Sequence, residues 1–165
     1  TDIETRLRQY LNAHRILWLE HGNLQGDDTD GHIDTLARFA NPETILYVAS
    51  SDPADPDHAS LRIMSGELKL FRRTDGEPYT LIPLPAPVIR DNSGQRLPAS
   101  YANFLIINDA VLVPLYGIVM DNLALEIFSR VFTHRKIIGI NCRPLIQQYG
   151  SLHCVTMQLP AGIVS

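Results

Sequence analysis

The sequence is poor in cysteine and has no cluster of basic residues, and each shortage excludes a class of protein. Two cysteines in 165 residues are too few for a disulfide scaffold, so a reducing compartment is the simpler interpretation. Lysine and arginine are scattered and the formal net charge is -4, which argues against a surface that follows nucleic-acid phosphates. Glycine-rich phosphate loops and the serine elbow of many hydrolases are also absent.

Long apolar runs are missing too. The most apolar segment, residues 104–120, is interrupted by Asn108, Asp109 and Pro114, whereas a membrane-spanning helix needs about 20 apolar residues in succession. No amino-terminal stretch has the basic and then apolar pattern of a signal peptide. We therefore predict a soluble cytoplasmic protein with neither a nucleic-acid nor a membrane partner.

The chain nevertheless has enough apolar residues, 45 % of the total, to form the core of about one domain. Short apolar segments alternate between helical and strand periodicity, which indicates an α/β fold built from repeated units. We predict, in order, a helix that Thr1 and Asp2 could cap and whose apolar face lies over 7–14, a buried strand over 15–19, a helix over 31–39, a strand over 44–48, a helix over 58–72, a strand over 79–84, a hairpin over 103–115, a helix over 121–132, a buried strand over 136–141 and a strand over 152–157.

An acidic run, residues 27–31, resembles a calcium-binding loop. Aligning Gly31 with the turn glycine of such a loop places Gly26 and Ala37 at two essential ligand positions, so the calcium interpretation fails. No third histidine or cysteine pair stands nearby at the spacing that other metals require. We expect no metal ion and no organic cofactor.

His32 and Asp34 follow this run directly. The carboxylates upstream favour the protonated imidazole, which suits a general acid near neutral pH. The alternative is an exposed His–Asp pair at the start of a helix.

The two cysteines have different surroundings. Cys142 ends an alternating strand pattern and is expected to be buried and inert. Cys154 follows a glycine break, and its thiolate would be a nucleophile if a substrate could reach it. Because neighbouring residues of a strand point to opposite faces, we expect His32 to serve Cys154. His153 is then expected either to pack in the core or to support the groups that touch the substrate.

Two segments, residues 24–39 (LQGDDTDGHIDTLARF) and residues 150–156 (GSLHCVT), together resemble the agmatine deiminase and bacterial peptidylarginine deiminase family. Residues 100–105, 111–114 and 135–140 are similar to that family at matching places. The resemblance covers essentially the whole chain, and the acidic run followed by His-x-Asp is its most specific part.

The resemblance implies a pentein fold, an αβ propeller of five repeated modules around a pseudo-fivefold axis. It implies that Cys154 is the nucleophile, that His32 is the general acid and base, and that Asp34 holds the guanidinium group, with Asp28 as a further substrate contact. The reaction would convert agmatine to N-carbamoylputrescine and ammonia, and peptidylarginine is the second substrate. No cofactor is needed.

The sequence departs from the family in two ways. Met157 precedes Gln158 where the family has paired glutamines. The family's enzymes are also about twice as long, and the Trp-Arg-Asp and Glu-Gly-Gly segments of their amino-terminal half are absent here.

Because the chain also begins without Met, we expect residues 1–165 to be the carboxy-terminal portion of one catalytic domain, which pairs with the missing half or with its own kind. The alternatives are a catalytically incomplete interaction module and a cysteine amidase or peptidase.

Overall fold

The structure is a computed structural model that describes residues 2–26, 31–159 and 162. Its helices and strands alternate, which confirms the predicted α/β class. In chain order they are α1 Asp2–Leu11, α2 Ile33–Leu36, β1 Ala37–Asn41, β2 Thr44–Ala49, α3 His58–Leu68, β3 Thr80–Pro85, β4 Ile89–Arg90, β5 Arg96–Leu97, β6 Leu105–Ile106, β7 Ala110–Leu115, α4 Met120–Val131, β8 Lys136–Asn141, α5 Arg143–Ile146 and a 3-10 turn, His153–Val155.

One ββαβ topology occurs twice in the chain. β1 and β2 are antiparallel, and α3 then crosses over to β3, which is parallel to β2. β6 and β7 are likewise antiparallel, and α4 crosses over to β8, which is parallel to β7. Parallel neighbours need such a crossover because a tight turn can only reverse the chain. The two units, with the small hairpin β4–β5 between them, form three open sheets in the described residues.

The helices bury one face against these sheets. In α3 the buried residues are Leu61, Met64 and Leu68, at the three- and four-residue spacing of a single helix face. In α4, Phe128 packs edge-on against Phe104 with ring centroids 5.0 Å apart. The central strand β2 buries five of its six residues. One continuous core therefore joins both units.

A buried loop, residues 99–104, connects β5 to β6 through this core. Buried backbone N–H and C=O groups need hydrogen-bond partners, and in this loop side chains supply several of them. The Tyr116 hydroxyl donates to the Ser100 carbonyl and accepts from the Ser100 N–H, both at 2.9 Å. Asp121 accepts from the Tyr101 hydroxyl at 2.6 Å and from the backbone N–H groups of residues 116–118. We call these four side chains, of Ser100, Tyr101, Tyr116 and Asp121, the polar network.

The strand predicted over 15–19 was wrong, and the predictions for 31–39 and 136–141 were wrong in part. Residues 15–19 are not a strand, since no strand pairs with them in the described residues and their side chains are only partly covered. The predicted helix over 31–39 ends at Leu36, because the following residues pair with β2 instead. β8 is a strand as predicted but none of its residues is buried, because it lies at the edge of its sheet. Apolar spacing alone does not reveal whether a neighbouring strand exists.

The apolar segment 104–120 forms β6, the turn after it, β7 and the residues that lead into α4. Across the described ranges, no helix combines the length and the apolar character that a membrane crossing requires.

We predict that Tyr116→Phe lowers the free energy of unfolding by about 2 kcal/mol, because the buried N–H and carbonyl of Ser100 lose their partner. Chemical denaturation measures the change. Tyr10→Phe is the matched control, since Tyr10 is exposed on α1, and it should shift the value by less than about 0.5 kcal/mol. Equal stability of the two variants would contradict the role given to the network.

Candidate active site

The fold brings Asp34 and Cys154 together although they are 120 residues apart in sequence. Asp34 lies in the first turn of α2, and Cys154 is the middle residue of the 3-10 turn. The Cys154 Sγ atom is 3.7 Å from Asp34 Oδ2. Cys154 is exposed, and the Asp34 side chain keeps 19 % of its surface accessible. Two of the predicted site residues therefore face each other where a ligand can reach them.

The segment that carries Cys154 is not the strand predicted over 152–157. Thr156 closes the 3-10 turn, donating from its backbone N–H at 3.1 Å and from its hydroxyl at 2.8 Å to the His153 carbonyl. These local hydrogen bonds satisfy the backbone without a partner strand. Successive residues of a 3-10 turn are about 120° apart rather than on opposite faces, so His153 and Cys154 both approach Asp34.

His153 therefore supports the site through Asp34, which is one of its two expected roles, although the strand prediction had placed it on the opposite face from Cys154. Its Nδ1 atom lies 2.7 Å from Asp34 Oδ2, and one third of its side chain is exposed. A carboxylate only accepts hydrogen bonds, so the ring donates through Nδ1 to an ionised Asp34. The adjacent histidine and cysteine are therefore anchored to one carboxylate.

His32 lies immediately before α2 and is exposed. Its carbonyl accepts from the Thr35 N–H at 3.0 Å and from the Thr35 hydroxyl at 2.7 Å, which sets the start of the helix that holds Asp34. The described hydrogen bonds of Asp34 and Cys154 do not include the His32 ring. Its role as acid and base stays a prediction, and Asp28 lies outside the described residues.

Two further residues, Asn103 and Arg38, lie beside these groups, and the sequence alone had suggested no role for either. The Asn103 amide nitrogen lies 3.0 Å from Asp34 Oδ2 and 3.3 Å from Cys154 Sγ. The guanidinium of Arg38, on β1, donates to the Phe104 carbonyl and lies 4.7 Å from the centre of the Phe104 ring. Burial lowers the pKa of Arg38, and the nearby Asp34 and Cys154 oppose that shift. Both residues belong to segments that carry the family resemblance, which is the signal that could have identified them.

The polar network connects the segments that bear these groups. The Ser100 hydroxyl donates to the Thr35 carbonyl on α2 at 2.6 Å. The Tyr116 hydroxyl lies 3.1 Å from Ser151 Oγ, three residues before Cys154. Burial raises the pKa of Tyr116, so its hydroxyl stays neutral and can donate. The spacing between the two predicted site residues thus depends on buried hydrogen bonds behind them.

Cys142 is fully buried just after β8, as predicted, and burial raises the pKa of its thiol. Neither cysteine forms a disulfide. Within the part of the chain that the structure describes, no group of three or more His, Cys, Asp or Glu side chains is arranged to hold a metal ion.

An exposed cysteine held beside a carboxylate, an imidazole and an amide, on repeated ββαβ units, defines an α/β protein with a cysteine-centred site. Residues 1–160 match the family of Porphyromonas-type peptidyl-arginine deiminases. The chain belongs to this family, which confirms the resemblance seen in its sequence.

Individual relatives agree with this assignment. A provisionally named agmatine deiminase of Marinomonas sp. (strain MWYL1) is 33 % identical over 96 % of this chain and 47 % of that protein. The structure of a provisionally assigned arginine deiminase from Porphyromonas gingivalis superposes with a TM-score of 0.93 at 56 % identity, covering 97 % of this chain and 47 % of that one. A C. jejuni agmatine deiminase, as a cysteine-to-serine variant with substrate bound, superposes with a TM-score of 0.84 at 39 % identity, covering 93 % and 44 %. The chain spans about half the length of the relatives it matches.

We predict that iodoacetamide near pH 7.5 alkylates Cys154 and spares Cys142. Cys154 is exposed, whereas Cys142 is buried with a raised pKa, and both accessibility and thiolate content control the reaction. Mass spectrometry of the two cysteine peptides should show a rate difference of at least about tenfold. The same reaction in denaturant is the control and should label both. Comparable labelling of the folded protein would contradict the burial of Cys142.

Proposed function

We propose that the complete natural protein containing this chain hydrolyses a guanidino group and releases ammonia, with Cys154 as the nucleophile. The observation that carries the proposal is the 3.7 Å approach of Cys154 Sγ to Asp34 Oδ2 in an exposed site. A carboxylate repels a neighbouring thiolate, and a cation bound beside both relieves that repulsion. The pair therefore favours a positively charged substrate over a neutral amide.

Asp34 also has the right free atom for such a substrate. Its Oδ2 atom accepts from Asn103 and His153, while Oδ1 has no hydrogen-bond partner among the described residues. A guanidinium group presents a planar fork of N–H donors, and a carboxylate orients that fork through charge-assisted hydrogen bonds. The guanidinium carbon is a weak electrophile because its charge is delocalised, so holding it in front of Sγ is itself a large part of catalysis.

In the first half of the proposed reaction, the Cys154 thiolate attacks the guanidinium carbon and forms a C–S bond. Protonated His32 gives a proton to one nitrogen of the tetrahedral intermediate, and that nitrogen leaves as ammonia. A cationic amidino-thioether on Cys154 remains, and His32 is neutral. Asp34 thus faces the positive charge of the bound guanidinium and, at the end of this half, that of the amidino-thioether.

In the second half, neutral His32 takes a proton from water and the hydroxide adds to the same carbon. Collapse of this intermediate breaks the C–S bond and restores the thiolate. The protonated ureido product loses its proton to the solvent, where the released ammonia is protonated. The protein thus returns to its starting state, with His32 protonated.

The proposed complete site extends beyond these residues. We infer that the two ββαβ units are part of a five-module αβ propeller and that other modules provide further substrate contacts. The chain spans about half the length of its relatives, and an isolated ββαβ pair leaves strands such as β8 unburied, which supports this inference. Asp28 is proposed as a further carboxylate beside the substrate.

Two substrates are candidates, and agmatine is the first. The curated relatives at about one third identity carry the name agmatine deiminase, and so does the C. jejuni structure with substrate bound. Peptidylarginine is the second candidate, because the family is described by that activity and a structure 50 % identical to this chain is provisionally titled a peptidyl-arginine deiminase. Both contain the guanidino group that the site is proposed to hold.

We predict that the complete protein releases ammonia from agmatine and that Cys154→Ala lowers kcat by at least about a thousandfold, because the covalent intermediate no longer forms. Asp34→Asn should raise KM and lower kcat together, since the charge that holds the substrate is removed. Cys142→Ala is the matched control and should keep kcat within about threefold, because Cys142 is fully buried and a substrate cannot reach its thiol.

Ammonia release is measured with agmatine and with an arginine peptide in parallel. Release from the peptide alone would replace agmatine with peptidylarginine as the substrate. Release from neither compound, or full activity in Cys154→Ala, would refute the proposed function.

A further inference from the structure

We propose that Asn103 is a further residue of the active site, whose side-chain amide donates hydrogen bonds to the Cys154 thiolate and to Asp34 at the same time. The catalytic consequence rests on the proposed function, whereas the contact itself does not. Asn103 precedes β6 at the end of the buried loop 99–104, and none of its surface is exposed. A fully buried amide beside a reactive cysteine is not explained by packing alone.

The orientation of the amide follows from its partners. One side-chain atom lies 2.7 Å from the His153 backbone N–H, which can only donate, so this atom is the oxygen Oδ1. The other lies 3.0 Å from Asp34 Oδ2, which can only accept when ionised, so it is the nitrogen Nδ2. Both assignments agree, and they aim the two N–H bonds at Asp34 and Cys154.

The two protonation states of Cys154 use different partners in this arrangement. A thiol can donate, with Asn103 Oδ1 at 3.6 Å and Asp34 Oδ2 at 3.7 Å from Sγ. A thiolate has no proton to donate, so the negative charge on these two oxygens then repels it. Among the described residues, only Asn103 Nδ2, at 3.3 Å, donates a hydrogen bond to Sγ. The amide therefore favours the nucleophilic form that the neighbouring carboxylate disfavours.

The amide is also held from both sides. Its oxygen accepts from the turn that carries Cys154, and its nitrogen donates to the helix that carries Asp34. The Ser100 hydroxyl donates to Thr35 and accepts from the Ala102 N–H, which fixes the loop that leads to Asn103. Donors positioned before the reaction need no rearrangement when charge develops. Asn103 thus sets the separation of Sγ and the carboxylate and stabilises the negative charge on sulfur.

The first test follows alkylation of Cys154 by iodoacetamide as a function of pH in the complete protein. Asn103→Ala removes the donor without adding charge, and Asn103→Asp keeps the shape and the oxygen that accepts from His153. In both variants we expect the alkylation profile to move to higher pH, with a rate near pH 7.5 about tenfold lower than in the wild type. Asn92→Asp, on the exposed turn between β4 and β5, is the matched control and should leave the profile unchanged.

A wild-type profile in a variant that remains folded, as judged by circular dichroism, would overturn the proposal. The second test needs no change at Asn103 and so decides the matter even if both variants unfold. In protein labelled with ¹⁵N-asparagine, the Asn103 side-chain amide resonances should titrate with the same pH profile as Cys154 alkylation. They should lose this titration in Cys154→Ala. Resonances that behave identically in the two proteins would refute the contact.

Ammonia release separates this inference from the proposed function. If agmatine or an arginine peptide is a substrate, Asn103→Ala should lower kcat about tenfold or more and change KM by less than about threefold, because Asp34 still binds the guanidinium. If the wild type releases no ammonia but the Asn103 variants show the shifted alkylation profile, the proposed function fails and the Asn103 contact stands. If ammonia is released and the alkylation profile does not shift, the proposed function stands and the Asn103 contact fails.

Discussion

The buried loop 99–104 is the constraint on which the site depends. A loop inside the core needs partners for its backbone polar groups, and in the polar network Tyr116 supplies them for Ser100 while the Ser100 hydroxyl accepts from the Ala102 N–H. Asp121 holds the Tyr101 hydroxyl. The same hydroxyls reach the segments that bear Asp34 and Cys154. Satisfying the loop therefore also fixes the distance between two side chains from opposite ends of the chain.

Electrostatics gives this geometry its chemical meaning. Asp34 brings a carboxylate next to a cysteine, an arrangement that is unfavourable for a thiolate unless positive charge or hydrogen-bond donors compensate. Arg38, the His153 ring and the Asn103 amide surround the pair on the protein side. Asp34 Oδ1, which has no hydrogen-bond partner among the described residues, is proposed to bind a cationic substrate.

Much of this could be predicted from the sequence, for reasons that differ between elements. The β2 strand is a short continuous apolar run and is buried on both faces, and the α4 helix buries residues at helical spacing, as these patterns predict. Cys154 and Asp34 were identified from motif resemblance, since no local pattern distinguishes a reactive cysteine from an inert one. The 3-10 turn was missed because Leu152–Met157 has the composition of a strand, and only the hydrogen bonds of Thr156 show otherwise.

The sequence by itself determined the α/β class, the order of most helices and strands, the burial of Cys142 and the membership of the family. These depend on local periodicity and on motifs that are readable along the chain. The tertiary structure alone decided that His153 contacts Asp34, that Asn103 lies between Asp34 and Cys154, and that Tyr116 supports the loop behind them. Each of these contacts joins residues far apart in sequence or depends on the shape of a turn, and neither leaves a periodic signal.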